Sequence, residues 1–296
     1  MISAKEAGFL LLSSKLGNPE RKVLTTAQLR VLGQRMGNME APKENRDLEE
    51  KDLVALGYGQ DVARRILDLL GETDVLDHYL RRAERMGCVP ISRMNPRYPG
   101  VLKEKLGQEA PGCLWAKGDL SILDTPMVAL VGSRDIAPEN KAFAAEVGRQ
   151  AALQGYTLVS GNARGADRTA QSACLKAGGR VVSVVADSLA EKTLQARVLY
   201  LSEEDFDEEF SGLRALRRNR VIHILGEKVF VAQSDFGFGG TWDGTEKNLR
   251  SGWRPVFYCD DGSQAMEHLH EMGANLIAFE DLQNFANLQP EQKSFL

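Results

Sequence analysis

The rhythm of apolar and polar positions changes twice along this chain. Up to about residue 88 the apolar residues recur at helical spacing. Leu29, Val31 and Leu32 follow Thr25-Thr26, which offer a cap, and Ala63, Ile66, Leu67, Leu69 and Leu70 form a second stripe. Val75, Leu76, Tyr79, Leu80 and Ala83 predict a further helix over 74–87. The run Leu53–Gly59 ahead of the second stripe reads as a helix entering a Gly-containing turn. Such a hairpin is usually two packed helices; alternatively its turn presents amides to a phosphate. A polar connector is expected at 39–51 around Pro42. Between 88 and 124, Pro90, Pro96, Pro99 and Pro111 punctuate short extended pieces. From about 125 the pattern alternates. Apolar runs at 127–131, 157–159, 181–185, 198–201, 228–232 and 255–259 predict strands. Helices are expected at 141–153, 167–177, 212–224, 242–251 and 263–272.

Continuous apolar strands alternating with helices predict an α/β fold, a mostly parallel sheet covered on both faces. The expected organisation is a helical N-terminal domain over 1–88, the sheet domain over 89–280 and a tail over 281–296, loose from about Asn284.

The chain has 296 residues, a size that suits two domains, and 43% of them are hydrophobic. Its formal charge is −4, so any nucleic-acid surface must be local and not a property of the average. Cys88, Cys113, Cys174 and Cys259 are widely spaced and read as reduced thiols, with no metal-ligand spacing. No apolar run is long enough to span a membrane, and Phe9–Leu12 is too short for a signal-peptide core, so a cytoplasmic location is expected.

Candidate chemistry gathers where predicted strands end. Ligands of parallel sheets bind beyond the carboxyl ends of the strands. Three Gly-rich loops follow such ends: Gly132-Ser133-Arg134, then Ser160-Gly161-Asn162-Ala163-Arg164-Gly165-Ala166-Asp167, then Gly237-Phe238-Gly239-Gly240-Thr241-Trp242. Glycine permits tight turns, arginine matches phosphate oxygens, and amides opening a helix favour an anion. Together the loops predict a phosphate-binding crevice. Neither G-x-G-x-x-G after the first of these strands nor G-x-x-x-x-G-K-[ST] occurs, which argues against NAD and P-loop nucleotides. No metal or other cofactor is implied.

Arg214, Arg217 and Arg218 share a helical face, with Arg220 beside them. They either meet phosphates, leaving the acidic run Glu203–Glu209 as a solvated loop, or are neutralised by that run. Trp242, Phe236 and Phe238 are candidates either for base stacking or for the core. Asp167 reads as a cap or first-turn charge, not a catalytic acid.

These pieces resemble the DNA-processing protein A (DprA/Smf) family over about residues 88–277. The resemblance lies in Asn95-Pro-Arg-Tyr98-Pro99, Leu114-Trp-Ala-Lys117-Gly118-Asp119, Val128–Arg134, Val159–Asp167, Ala177–Arg180, Arg218-Asn219-Arg220-Val221-Ile222 and Gly240-Thr241-Trp242. It implies a Rossmann-like domain that binds single-stranded DNA, forms a homodimer and loads the RecA recombinase, without being an enzyme. By position, Gly132, Ser133 and Arg134 line the phosphate pocket, and Gly161, Arg164 and Gly165 form its second wall. Arg218 and Arg220 add charge, and Gly240 and Thr241 close it. Ala186–Ala190, Ala166 and Asp243–Glu246 depart from the family pattern and leave room for another DNA-linked process, such as defence.

Two other readings stand beside this one. Gly239–Glu246 also resembles, with altered spacing, the loop of "Lonely Guy" phosphoribohydrolases. That implies a small-nucleotide enzyme or sensor with Glu246 as its catalytic carboxylate. The third is a scaffold whose helical domain recruits a partner.

Overall fold

The computed structural model describes residues 2–37 and 47–290. The expected connector lies outside the described residues up to Arg46, and so does the end of the expected tail.

Five helices come first: α1 (Ala4–Ser13), α2 (Thr26–Gly37), α3 (Glu50–Ala55), α4 (Gln60–Gly71) and α5 (Thr73–Arg85). The expected cap of α2 forms. Thr25 Oγ1 accepts from the Gln28 amide, and the Gln28 side chain accepts from the Thr25 amide. Leu12, Leu32, Leu53, Ala63, Ile66 and Leu69 build a small core of their own. The α3–α4 turn is closed onto itself, with the Gly57 and Tyr58 amides donating to the carbonyls of Val54 and Leu53. Those amides are therefore not offered to a phosphate.

The rest of the chain wraps one nine-stranded sheet: β1 (Val89–Ser92), β2 (Cys113–Lys117), β3 (Met127–Val131), β4 (Thr157–Ser160), β5 (Arg180–Val184), β6 (Val198–Ser202), β7 (Val229–Val231), β8 (Val256–Tyr258) and β9 (Asn275–Leu276). Their spatial order is β1-β2-β6-β5-β4-β3-β7-β8-β9. From β6 to β9 all neighbours are parallel, whereas β2 and β1 run antiparallel at one edge. The expected α/β class, a Rossmann-like, mostly parallel sheet with a helical region before it, is what the chain forms. The edge strands β1 and β2 occupy what the sequence presented only as Pro-punctuated extended pieces.

Helices cover both faces: α6 (Gly100–Leu106), α7 (Pro138–Leu153), α8 (Ala166–Lys176), α9 (Gly212–Leu225), α10 (Gly239–Ser251) and α11 (Gln264–Glu271). Strand side chains alternate between the faces. Val128, Leu130, Leu158 and Phe230 join Phe143, Val147 and Ala170 of α7 and α8. Ala129, Val131, Val159 and Val231 join Leu102, Val221, Ile222 and Met266 of α6, α9 and α11. The chain steps outward from β3 through β4, β5 and β6, then returns to lay β7 on the other side of β3. That reversal opens a crevice between the ends of β3 and β7.

The helical region docks on the sheet through aromatic contacts. Tyr79 of α5, Trp115 of β2 and Phe206 pack with centroids 4.9–5.6 Å apart. Asp205 sits among them, accepting from Trp115 Nε1 and Ser14 Oγ, each at 3.3 Å. The acidic run is therefore not a solvated loop: Phe206 is fully buried and Glu203 and Asp205 are largely so.

Another correction concerns the tail. Phe285 is buried against Phe230 and Tyr156, with centroids at 4.8 and 5.7 Å, and Gln154 accepts from its amide. The expected looseness from Asn284 does not hold over 284–288, because Phe285 and Leu288 complete the core under α7.

Burial pushes the Asp205 carboxyl up to about 6, and the charges of Asp207 and Glu208 push the same way. A folded-state pKa above the unfolded value favours the protonated form in the fold. That contribution is complete below the unfolded value of 3.8 and is lost as pH rises through about 6. Denaturant titrations between about pH 4 and pH 7 should show the wild type losing on the order of 2 kcal/mol relative to Asp205→Asn. Parallel pH profiles for the two proteins would refute this account of the docking surface.

Candidate nucleic-acid interface

At the switch point, the loops after β3 and β7 and the starts of α9 and α10 enclose a crevice of about 620 Å³. Gly132, Ser133, Arg134, Arg218, Gly240 and Thr241 line it, as the sequence led one to expect. Asn219, Phe238 and Gly239 line it too, together with the carboxylates Asp135, Asp167 and Asp235.

The loop after β4 serves the crevice differently from the expectation. Its amides do not wait for an outside anion. The Asp167 carboxylate accepts from the amides of Gly161 and Ala163 at 3.0 and 3.1 Å. The Ala166 amide at the start of α8 donates to the Ser133 carbonyl. Asp167 is thus the loop's internal anion, while the Ala166 amide ties the loop after β4 to the loop after β3. Gly165 has φ +83°, and a Cβ there would meet the carbonyl oxygens of Ser133 and Arg134 at 2.5 and 2.4 Å, so the tie requires glycine.

Arg218 lies in the crevice floor, only 7% exposed, and its Nη1 donates to the Val184 carbonyl at 2.6 Å. Its Nε is buried and has no hydrogen-bond partner among the described residues. Burial pulls its pKa down while Asp167 pulls it up; the same burial pushes Asp167 up while Arg218 and the two amides pull it down. Each charge makes the other tolerable in the floor. The packing here depends on Gly161, whose Cβ would stand 1.8 Å from Arg218 Nη1.

Helix α10 supplies the open amides. It begins at Gly239, three residues earlier than the sequence pattern suggested, because Gly239-Gly240-Thr241 form its first turn and not a loop. Its N-cap Phe238 makes no side-chain cap and its first turn holds no acid. Unpaired amides and the positive end of the helix dipole therefore face the crevice. Asn219 donates to the Gly240 carbonyl at 2.8 Å and so fixes α10 against α9. Arg134 is exposed at the rim, and among the described residues no hydrogen bond or ion pair engages its guanidinium.

Several expected residues lie elsewhere. Ser160 is fully buried, and its Oγ accepts from Gln171. Arg220 does not line the crevice; it pairs with buried Glu203 at 3.0 Å. Arg217 pairs with Glu204, and Arg214 lies near Glu208 and donates to the Glu209 carbonyl. The acidic run neutralises these three arginines and leaves Arg218 to the crevice. Arg164 stands exposed at the outer rim, paired with Asp135 at 2.6 Å. Trp242 is buried against Phe236 and His268 and serves packing, while Phe236 is half-exposed and lies outside the crevice lining. Phe238 alone of the three reaches the crevice, 77% exposed. Glu246 does not line it and pairs with Arg250. The carboxylate on which the phosphoribohydrolase reading depends is therefore not at the site.

This is a Rossmann-like protein whose switch-point crevice brings a helix N-terminus together with two arginines. The chain belongs to the DNA recombination-mediator protein A family, whose model matches residues 90–287. It is 33% identical over 202 residues to DNA processing protein DprA of Streptococcus pneumoniae, covering 63% of this chain and 70% of that protein. It is 29% identical over 164 residues to DprA of Bacillus subtilis, covering 51% of this chain and about half (54%) of that one. The X-ray structure of the S. pneumoniae protein superposes with a TM-score of 0.69 at 26% identity, over 91% of this chain and 94% of that one. DprA of Helicobacter pylori, solved for its single-stranded DNA binding mode, shares the fold at 24% identity and a TM-score of 0.56, over 67% of this chain and 94% of that one.

Gly161→Ala should push Arg218 out of the floor and leave Asp167 without its counter-charge. The expected loss is about 2–4 kcal/mol of stability, read by denaturant unfolding. A variant as stable as the wild type would show that the Arg218–Asp167 pair is not held by this packing.

Proposed function

We propose that this protein binds single-stranded DNA by its phosphates at the crevice and acts as a recombination mediator that delivers the strand to RecA. The observation that supports it most is the convergence of open α10 amides, Arg134 and Arg218 on one crevice. Phosphate oxygens fit such a cradle, and Phe238 at the lip offers a face on which a base can stack. Membership of the family and the similarity to DNA processing proteins support the recombinase as partner. The active form in this reading is a homodimer acting by binding, without covalent chemistry. Among the described residues no helix is long and apolar enough to cross a membrane, in keeping with the proposed cytoplasmic setting. In domain terms, the proposal assigns strand binding to residues 89–280 and leaves the helical region before them as a docked accessory domain.

Fluorescence anisotropy of a labelled oligothymidylate across a salt series tests the reading. Arg134→Ala should weaken binding by about 1–3 kcal/mol and lower the magnitude of the salt slope by about one. Equal affinity and slope for wild type and variant would remove the strand from this crevice.

A further inference from the structure

A second feature begins where the crevice ends. The outer faces of α7 and α8 form an open groove of about 1030 Å³. Lys141 stands on the α7 wall, and Arg168 and Lys176 on the α8 wall. Arg134 and Arg164 stand at the mouth, with Asp135 the one carboxylate in the lining. Arg168, Ser172 and Lys176 are spaced four residues apart, so they form one stripe along α8. The floor is made of small side chains, Ala145, Thr169 and Ala173, which let an extended chain lie close to the helices.

Apart from Arg164, these cations form no ion pair among the described residues. Arg164 is held by Asp135, and Arg168 Nε reaches only the Asn162 carbonyl at 3.4 Å. Among the described residues Lys141 and Lys176 have neither a hydrogen bond nor an ion pair, and both are exposed. The chain as a whole carries −4, yet here five cations face one acid. Like charges gathered this way repel one another until an anion lies among them. Arg134 lines both the crevice and the groove and makes the two continuous.

We infer that the groove between α7 and α8 is a second phosphate track, which receives the DNA strand after it leaves the crevice past Arg134. This rests on the strand-binding reading above and extends it to a longer footprint. From Arg168 to Lys176 the helix rises about 12 Å, room for a run of successive phosphates and not for a single ion.

The test compares oligothymidylates of about six and about twenty nucleotides, one filling the crevice alone and one reaching the groove. The probe protein is the full chain with Lys141→Gln, Arg168→Gln and Lys176→Gln combined; all three side chains are exposed. The long oligonucleotide should bind about tenfold or more weakly, and the magnitude of its salt slope should fall by about 2, from three lost contacts on a single strand. The short one should bind within about twofold of wild type. The charge-keeping combination Lys141→Arg, Arg168→Lys and Lys176→Arg should retain wild-type slope on the long strand. Unchanged affinity and slope of the Gln variant on the long strand would overturn the track while leaving the crevice reading intact. Failure of the wild type to bind either length would overturn both.

Discussion

The carboxylate of Asp167 governs the site. It accepts from two amides of its own loop and faces Arg218 across Gly161. Without it the loop after β4 would hold unpaired buried amides, and the crevice floor would hold a buried guanidinium with no counter-charge. The Ala166 amide donates to the Ser133 carbonyl, so the ends of β3 and β4 move as one piece. This local order fixes where Arg134 leaves the sheet. The same carboxylate leaves the start of α8 internally satisfied and the start of α10 as the open helix end.

Charge is apportioned by partners and not by residue count. Four arginines crowd one stretch of α9, but Glu203, Glu204 and the region of Glu208–Glu209 take up three of them. Arg218 turns the other way, toward the Val184 carbonyl of the sheet, and keeps a buried Nε without a partner among the described residues. A protein of net charge −4 can in this way confine positive potential to one edge of a sheet and the adjoining helix groove.

Much of this was legible in the sequence. The continuous apolar runs located β3 to β8 within a residue or so, because strands buried on both faces leave no polar alternation to confuse with a helix. The three Gly-rich loops pointed to one edge, and all three contribute to the crevice lining, the second through Ala163 and Asp167. What stayed hidden was mostly long-range. β1 and β2 are short, lie among prolines, and join the parallel strands only where β2 pairs with β6. Phe285 looked like a polar tail because its neighbours are polar, and only the fold brings Phe230 and Tyr156 to it. The pairing of Arg220 with Glu203 is one of two outcomes the sequence allows, and spacing alone does not say which acid turns toward which arginine. Gly239-Gly240 reads as a loop on propensity, yet it forms the first turn of α10, held by Asn219 from a different helix.

The central claim is that phosphates sit on the first turn of α10 between Arg134 and Arg218. Its most direct test is an experimental structure of the protein with a short oligothymidylate. The account predicts a phosphate within hydrogen-bond distance of the Gly240 or Thr241 amide, with Arg134 turned onto the strand. A strand bound elsewhere, with the crevice left open and Arg134 pointing to solvent, would contradict it.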